Sequence, residues 1–392
     1  MHPCSRLLAV VGGLLLAACG SHSTGGTGDG GTGLDGGNPG WDGGNPASDG
    51  GLPGSDGGVD GGQAPVLPAN TLLYLRHTPV PDSTGTDAII ARNLDSGSER
   101  VVTDLTGDGS TGWDVWGLSL SPDRRRLAFA SLYGRTAEDT TAGFAIRAIW
   151  TVATDGTDFR RLTPPTNTAD SIGKTDPNYD ISYPEWTADG SKVLFDFGEY
   201  WWENQQFQGG TFPWIVSAAG GDSAEFQTPL VCSVLYPARN PVTGEFLFIH
   251  SVCIPGESDG DGLYLYPAAG SLTPTQLVAS AHVDGYVDVS LVKPAWWPDG
   301  SAILFVGGVA ETNWAWSLLA YDLTQHSLIP VATPPDGSSI YGVAVAPDAS
   351  KLVYCLRQDD TGAEDLHLMD LTQNPVTDTA ITHDGHSCDP VL

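Results

Sequence analysis

The chain has 392 residues, a formal net charge of −30, 50 glycines, 28 prolines and 12 tryptophans. Abundant turn formers, few charges and no long stretch rich in leucine, alanine and glutamate point to many short strands joined by tight turns. The acidity excludes a nucleic-acid-binding surface, because the few cations, Lys174, Lys192, Lys293 and Lys351 among them, leave nothing to neutralise a phosphate backbone.

Residues 1–18 read as an export leader. Arg6 supplies the positive start, and Leu7 to Ala18 form an apolar run too short to span a bilayer. Leu16-Ala17-Ala18-Cys19 then resembles the lipobox of bacterial lipoproteins. That resemblance implies cleavage before Cys19 and a diacylglycerol on its thiol. Gly20 and Ser21 follow, with no aspartate after the cysteine, which by the same resemblance favours the outer membrane.

Residues 19–69 are glycine, aspartate, asparagine, serine and proline, with Asp-Gly pairs at Asp29, Asp35, Asp42, Asp49, Asp56 and Asp60. Almost nothing there can be buried, so the segment is expected to be a disordered tether. Such a coil has a root-mean-square span of roughly 35–40 Å. Calcium binding by the Asp-Gly pairs is the alternative. The irregular spacing and the lack of alternating apolar residues weigh against it.

Residues 70–392 carry an internal repeat. LSLSPDRRRLAF ending at Phe129, PEWTADGSKVLF at Phe195, PAWWPDGSAILF at Phe305 and VAVAPDASKLVY at Tyr354 align without gaps, and ARNPVTGEFLF ending at Phe248 is a fifth copy. Each is a strand, a proline- or aspartate-led turn and a second strand, with its last aromatic at one buried position. Copies recur at roughly 50–65 residues, which leaves room for two further strands per unit, as in Ala148 to Thr163. The first ordered segment, Thr71 to His77, looks like a second strand without a first, and Ser387 to Leu392 like a first without a second. Pairing them makes six blades of an all-β propeller closed by its own ends; a solenoid would need capping units instead.

SPDRRRLAFA, IWTVATDGTDFRRLT, EWTADGSKVLF and WWPDGSAILFV resemble the repeats of TolB-type propellers. TolB is periplasmic, carries an α/β domain ahead of its propeller and binds the peptidoglycan-associated lipoprotein at its channel mouth. The present chain has a tether in place of that domain, so the resemblance implies the propeller and not the role. Similar repeats occur in peptidase-associated propellers and polysaccharide lyases.

Ligands of such propellers gather where the loops before the first strand and after the second converge. Those loops nominate Trp113, Asp114, Tyr200, Trp201, Trp202, Glu203, Asp284, Tyr286 and His386 as a ligand-binding set. The EYWWENQQF segment is the most unusual, since flat aromatics beside carboxylates suit sugars, cations or protein contacts; folding back over a blade is the alternative. Asp259 and Asp261 in ESDGDG offer oxygen ligands to Ca2+, or form an exposed hairpin. His77, His282 and His386, with His250 nearby, offer imidazoles to a transition metal, or are unrelated surface histidines. No nucleophile elbow or phosphate-binding loop is present. Cys232 and Cys253 sit opposite each other across the fifth hairpin and are expected to form a disulfide. Cys355 and Cys388 lie on neighbouring strands, and their pairing is open.

The expected function is a monomeric, lipid-anchored envelope protein that binds a protein, peptide or glycan through its channel face. The alternative is a metal-assisted lyase or hydrolase acting on polysaccharide.

Overall fold

The repeat folds as its turn chemistry dictates. In the turn joining first and second strands, a backbone N–H two residues on donates to an aspartate, as in Asp123 with Arg125, Asp189 with Ser191, Asp299 with Ser301 and Asp348 with Ser350. These bonds, joined at Asp189 by the Thr187 hydroxyl, hold its carboxyl down at about 2. The next residue is left-handed, with φ of 67° at Gly190 and 73° at Gly300, and also at Arg124 and Ala349, each 57°.

In the computed structural model the described residues are 64–78, 86–105, 115–133, 140–141, 144–164, 175–203, 206–226, 233–251, 260–267, 274–281, 287–309 and 316–392. Six antiparallel sheets of four or five strands follow one another, each ordered from an innermost to an outer strand, and a two-stranded ribbon, Thr140–Thr141 with Phe144–Ala145, lies between the second and third strands of the second sheet in the chain. Blade 1 is Ser387–Val391, Thr71–Thr78, Thr86–Asn93 and Glu99–Asp104. Blade 2 is Trp116–Leu120, Arg126–Ser131, Ala148–Ala153 and Arg160–Arg161. Blade 3 is Thr175–Trp186, Lys192–Glu203, Gln206–Ser217 and Ala224–Glu225. Blade 4 is Ser233–Arg239, Phe246–Ser251, Gly262–Tyr266 and Thr275–Ala279. Blade 5 splits its inner strand into Asp288–Val289 and Ala295–Trp296, followed by Ala302–Gly308, Ser317–Asp322 and Ser327–Ala332. Blade 6 is Ser338–Val345, Lys351–Gln358, Glu364–Asp370 and Thr377–Ala380. The protein is therefore a six-bladed propeller closed by strand exchange between its two ends, as the repeat predicts.

The core lies between sheets. The recurrent aromatics Phe129, Phe195, Phe248, Phe305 and Tyr354 are all buried. Each comes from the strand next to the innermost one and packs with residues of its own and neighbouring sheets. At the closure Leu73 pairs with Val391, Leu75 with Cys388 and Arg76 with Ser387. A Cys355–Cys388 disulfide ties the second strand of blade 6 to the closing strand, resolving the pairing that the sequence leaves open. Cys232 and Cys253 lie outside the described residues, as do Cys19 and the tether up to Gln63.

Residues from Ala64 to Pro68 pack on blade 2. Leu67 is buried and its N–H donates to Arg124 O at 2.8 Å, while Arg124 Nε and Nη2 donate to Leu67 O and Pro68 O, both at 3.0 Å. Thr154 Oγ1 donates to Pro65 O and Arg125 Nη1 to Ala64 O. The left-handed backbone at Arg124 aims its side chain at this strap.

The disulfide spans 33 residues, and removing a cross-link of that length is expected to lower stability by about 3–4 kcal/mol. Urea unfolding of the Cys355→Ser/Cys388→Ser double variant should show that drop. An unchanged midpoint would mean that strand pairing alone secures the ring.

Candidate functional site

The innermost strands do not run straight. In five blades the register slips at a left-handed residue: Gly117 (φ 65°), Tyr183 (45°), Tyr236 (59°), Gly342 (94°) and Asp389 (52°). In blade 5 the strand breaks at the matching position, Lys293. Such bulges turn a side chain out of the sheet, here toward the propeller axis. Glycine is required at 117, where a Cβ would stand 2.9 Å from Tyr183 Cα. Tyr183 and Tyr236 meet edge to face, with centroids 4.4 Å apart.

Below this ring lies an axial cavity of about 390 Å³, running toward the turns that join first and second strands. Charged groups from several blades meet in it. Lys293 Nζ donates to Glu185 Oε2 at 2.9 Å and to Pro184 O at 3.0 Å, crossing from blade 5 to blade 3. Ser119 Oγ donates to the same carboxylate oxygen at 3.2 Å, and Arg239 Nε stands 3.9 Å from Glu185 Oε1. Asp389 lines the cavity from the closing strand; burial raises its pKa against the pull of the Gly117 N–H and Lys293.

Asp196, behind the inner strands of blades 3 and 4, is 1% exposed. Its Oδ2 accepts the Tyr236 N–H at 2.9 Å, whereas Oδ1 has no partner among the described residues. Burial pushes its carboxyl well above the usual carboxylate range, although the Tyr236 N–H and Lys293 oppose the shift.

At the far end of the axis the closure seam gathers a second polar group. His77 Nδ1 donates to Asp87 Oδ1 at 2.7 Å, and Asp87 Oδ2 accepts the Val115 N–H at 2.9 Å, so two contacts fix the carboxylate that orients the imidazole. The His77 N–H also donates to His386 O at 2.8 Å. Glu364 lies beside them with its pKa raised by burial and by Asp389, an effect that Arg357 and His77 oppose.

The sequence candidates divide accordingly. Trp113, Asp114, Asp259, Asp284, Tyr286 and His282 lie outside the described residues, and only the backbone of Trp201, Trp202 and Glu203 is described. The segment expected to be an aromatic loop is instead a long hairpin, with Lys192–Glu203 paired to Gln206–Ser217. Tyr200 is not solvent-near: it is half-buried, its hydroxyl hydrogen-bonds Thr211 Oγ1, and burial raises its pKa. His250 is a core residue, 1% exposed, stacked on Tyr264 at 3.8 Å and bonded to Tyr266 OH at 2.7 Å, because strand parity turns it inward. His77 and His386 do share the seam, and His386 is exposed. Asp261 is half-buried where the third strand of blade 4 begins, and its C=O accepts the Ser280 N–H. Among the described residues, three or more potential metal-ligating side chains come within 4.8 Å of one another only at Cys355, Glu364 and Cys388, where both sulfurs belong to the disulfide.

Sequence reasoning passes over Glu185, Arg239, Lys293, Asp196 and Asp389. A signal was present: Tyr183-Pro184, Tyr236-Pro237, Lys293-Pro294 and Asp389-Pro390 repeat one x-Pro pair at one place in four blades.

No family model matches the chain, and no curated protein does. Among solved structures it is similar to hydrazine synthase of Kuenenia stuttgartiensis, at 14% identity and a TM-score of 0.52 over 82% of this chain and 46% of that one. It is also similar to a TolB from Agrobacterium tumefaciens (13%, TM-score 0.49, covering 80% and 88%). A third is the periplasmic gluconolactonase of Pseudomonas aeruginosa (13%, TM-score 0.43, covering 80% and 82%). At such identities the likeness is one of fold.

The buried Asp196 gives a pH-dependence with a definite sign. Unfolded, its carboxyl ionises in the ordinary range near 4; folded, it keeps its proton to higher pH. Its contribution to stability therefore falls as pH rises through that window. Asn keeps the acceptor for the Tyr236 N–H and removes the titration. Asp196→Asn should gain on the wild type between pH 4 and pH 8, reaching at least about 1 kcal/mol at pH 8. Parallel urea-midpoint profiles would refute the assignment.

Proposed function

We propose that this chain is a cell-envelope binding module, held by a lipidated Cys19 and a flexible tether, that takes its ligand along the propeller axis. The export leader and the LAAC motif support the location. The observation that carries the reading is the axial cavity, where Ser119, Glu185, Arg239 and Lys293 of four different blades converge. No described serine, cysteine or histidine stands there in a nucleophile–base arrangement. Preformed concave sites with a few convergent polar groups are the usual form of a ligand pocket. The ligand is a peptide, protein or glycan component of the envelope. The strap from Ala64 to Pro68 meets the propeller at Arg124, which also lines the cavity.

One observation favours a second reading, a propeller lyase or hydrolase. The Asp87-oriented His77 and Glu364, whose pKa burial raises, stand near each other at the opposite end of the axis, as the base and acid of such an enzyme would.

The two readings separate in one experiment with the full chain, titrated with envelope peptides and polysaccharides while tryptophan fluorescence and product formation are followed. The expected result is saturable binding without turnover, weakened about 10-fold or more by Lys293→Met, whose fold is checked by circular dichroism. Turnover of a defined polymer, lost in His77→Ala, would replace the binding module with the enzyme.

A further inference from the structure

Arg239 is out of place in its repeat. The position nine residues before the buried aromatic is Leu120 in blade 2, Trp186 in blade 3, Trp296 in blade 5 and Val345 in blade 6; in blade 4 it is arginine. The register is the same in all five, each residue pairing with the first one or two of the next strand. Trp186 and Trp296 are buried and use their indole N–H on the inner strand of the preceding blade, at Ser119 O and Ala238 O. Arg239 is set against its own preceding blade, toward Glu185, with its side chain 14% exposed.

Its donors are unspent. A guanidinium carries five N–H groups in a rigid fork. Among the described residues that of Arg239 makes no hydrogen bond: the only contact is the 3.9 Å ion pair with Glu185, and Nε is buried without an acceptor. Glu185 does not satisfy it: Oε1 stands 3.9 Å away, beyond hydrogen-bond reach, while Lys293 and Ser119 hold Oε2. A largely buried guanidinium whose Nε lacks an acceptor is costly unless something supplies one. The empty space it faces is the axial cavity.

Charge and shape narrow the missing group. The charged residues lining the cavity are Arg124, Arg239 and Lys293 against Glu185 and Asp389, an excess of one positive charge in a chain of net charge −30. A singly charged anion balances that excess; a doubly charged phosphate would overshoot it beside Glu185 and Asp389. The fork of Arg239 matches the two oxygens of a carboxylate. The turn prolines Pro122, Pro241, Pro298 and Pro347 make the outer wall apolar.

We propose that the axial cavity binds the carboxylate of a monoanionic ligand with a small apolar body, held by Arg239 with Lys293 beside it. This deepens the binding-module reading and rests on it. The carboxylate can be that of a free small acid or of a peptide chain end, and both present the same group to Arg239.

The test is a thermal-shift and calorimetric titration of the full chain with sodium propionate, propionamide, inorganic phosphate and sodium chloride at matched ionic strength. A short apolar peptide with a free C-terminus is compared with its C-terminal amide. Propionate should raise the melting temperature saturably, and propionamide and chloride should not. Phosphate should act at least about 10-fold more weakly than propionate. Preference for the free-ended peptide over propionate would identify a chain end as the source; the reverse would identify a small acid. Arg239→Leu restores the apolar residue of the other blades. It should melt higher than the wild type without ligand and bind propionate about 10- to 100-fold more weakly. Equal shifts from propionamide or chloride, undiminished binding in Arg239→Leu, or no shift at all would overturn the proposal. If envelope ligands still bind and Lys293→Met still weakens them, the carboxylate assignment alone has failed; if they do not bind either, the binding module fails with it.

Discussion

Three residue pairs, Leu73 with Val391, Leu75 with Cys388 and Arg76 with Ser387, join the two ends of the propeller, and the enclosed axis exists because of them. Before they form, the blade sequence has an open edge at each end and no central cavity. Afterwards, Asp389 and Pro390 complete the cavity wall and Asp389 reaches the backbone of Gly117 in blade 2. The contacts that reward closure lie over 300 residues apart in the chain, so their loop-closure entropy is met only once the intervening blades have stacked. A buried cross-link beside them, and the ion pairs of Arg76 with Glu99 and Asp384, place redundant fastening at this one seam.

Closure leaves the inner strands with a geometric problem. Six twisted strands converging on an axis crowd one another, and five of them answer with a bulge at a left-handed residue. Where the bulge carries glycine, at 117 and 342, the neighbouring strand moves in; where it carries tyrosine, aspartate or, in blade 5, lysine, the side chain fills the axis. Polar groups so placed are partly desolvated. The chain has 17 lysines and arginines against 47 acids, and it spends cations at such places: Arg147 lies over Trp116 at 4.2 Å and pairs with Asp180, and Lys293 pairs with Glu185. The two ion pairs cross between blades, and they fix relative blade position as much as they stabilise.

The blades were legible because each repeat states the same strand–turn–strand pattern, and the terminal half-patterns at Thr71 and Ser387 state the closure. The axis was less legible because its residues vary around the ring: Gly117, Tyr183, Tyr236, Lys293, Gly342 and Asp389 share a position but no single chemistry. Reading the repeat for its exceptions would have found them, since Arg239 stands where the other blades have Leu120, Trp186, Trp296 or Val345. Reading it for loops misplaced Tyr200, since strands that run on past the usual length turn an expected loop into a hairpin with one face against the blade. His250 was misjudged for a related reason: one residue of strand parity separates the channel from the core, and the parity places it on Tyr264. The Cys355–Cys388 pair needed a register between two blades, which no single repeat encodes.

Arg124 joins the strap to this architecture. Three of the matching turns carry a glycine at or next to its left-handed position, and only Arg124 and Ala349 hold that conformation with a Cβ. A side chain there is strained by roughly 1–2 kcal/mol. For Arg124 the strain is offset by two hydrogen bonds to the strap, at Leu67 O and Pro68 O, and the strap returns the Leu67 N–H and a buried leucine. Arg124 also lines the axial cavity. One residue therefore takes part in the strap, the turn of blade 2 and the cavity wall.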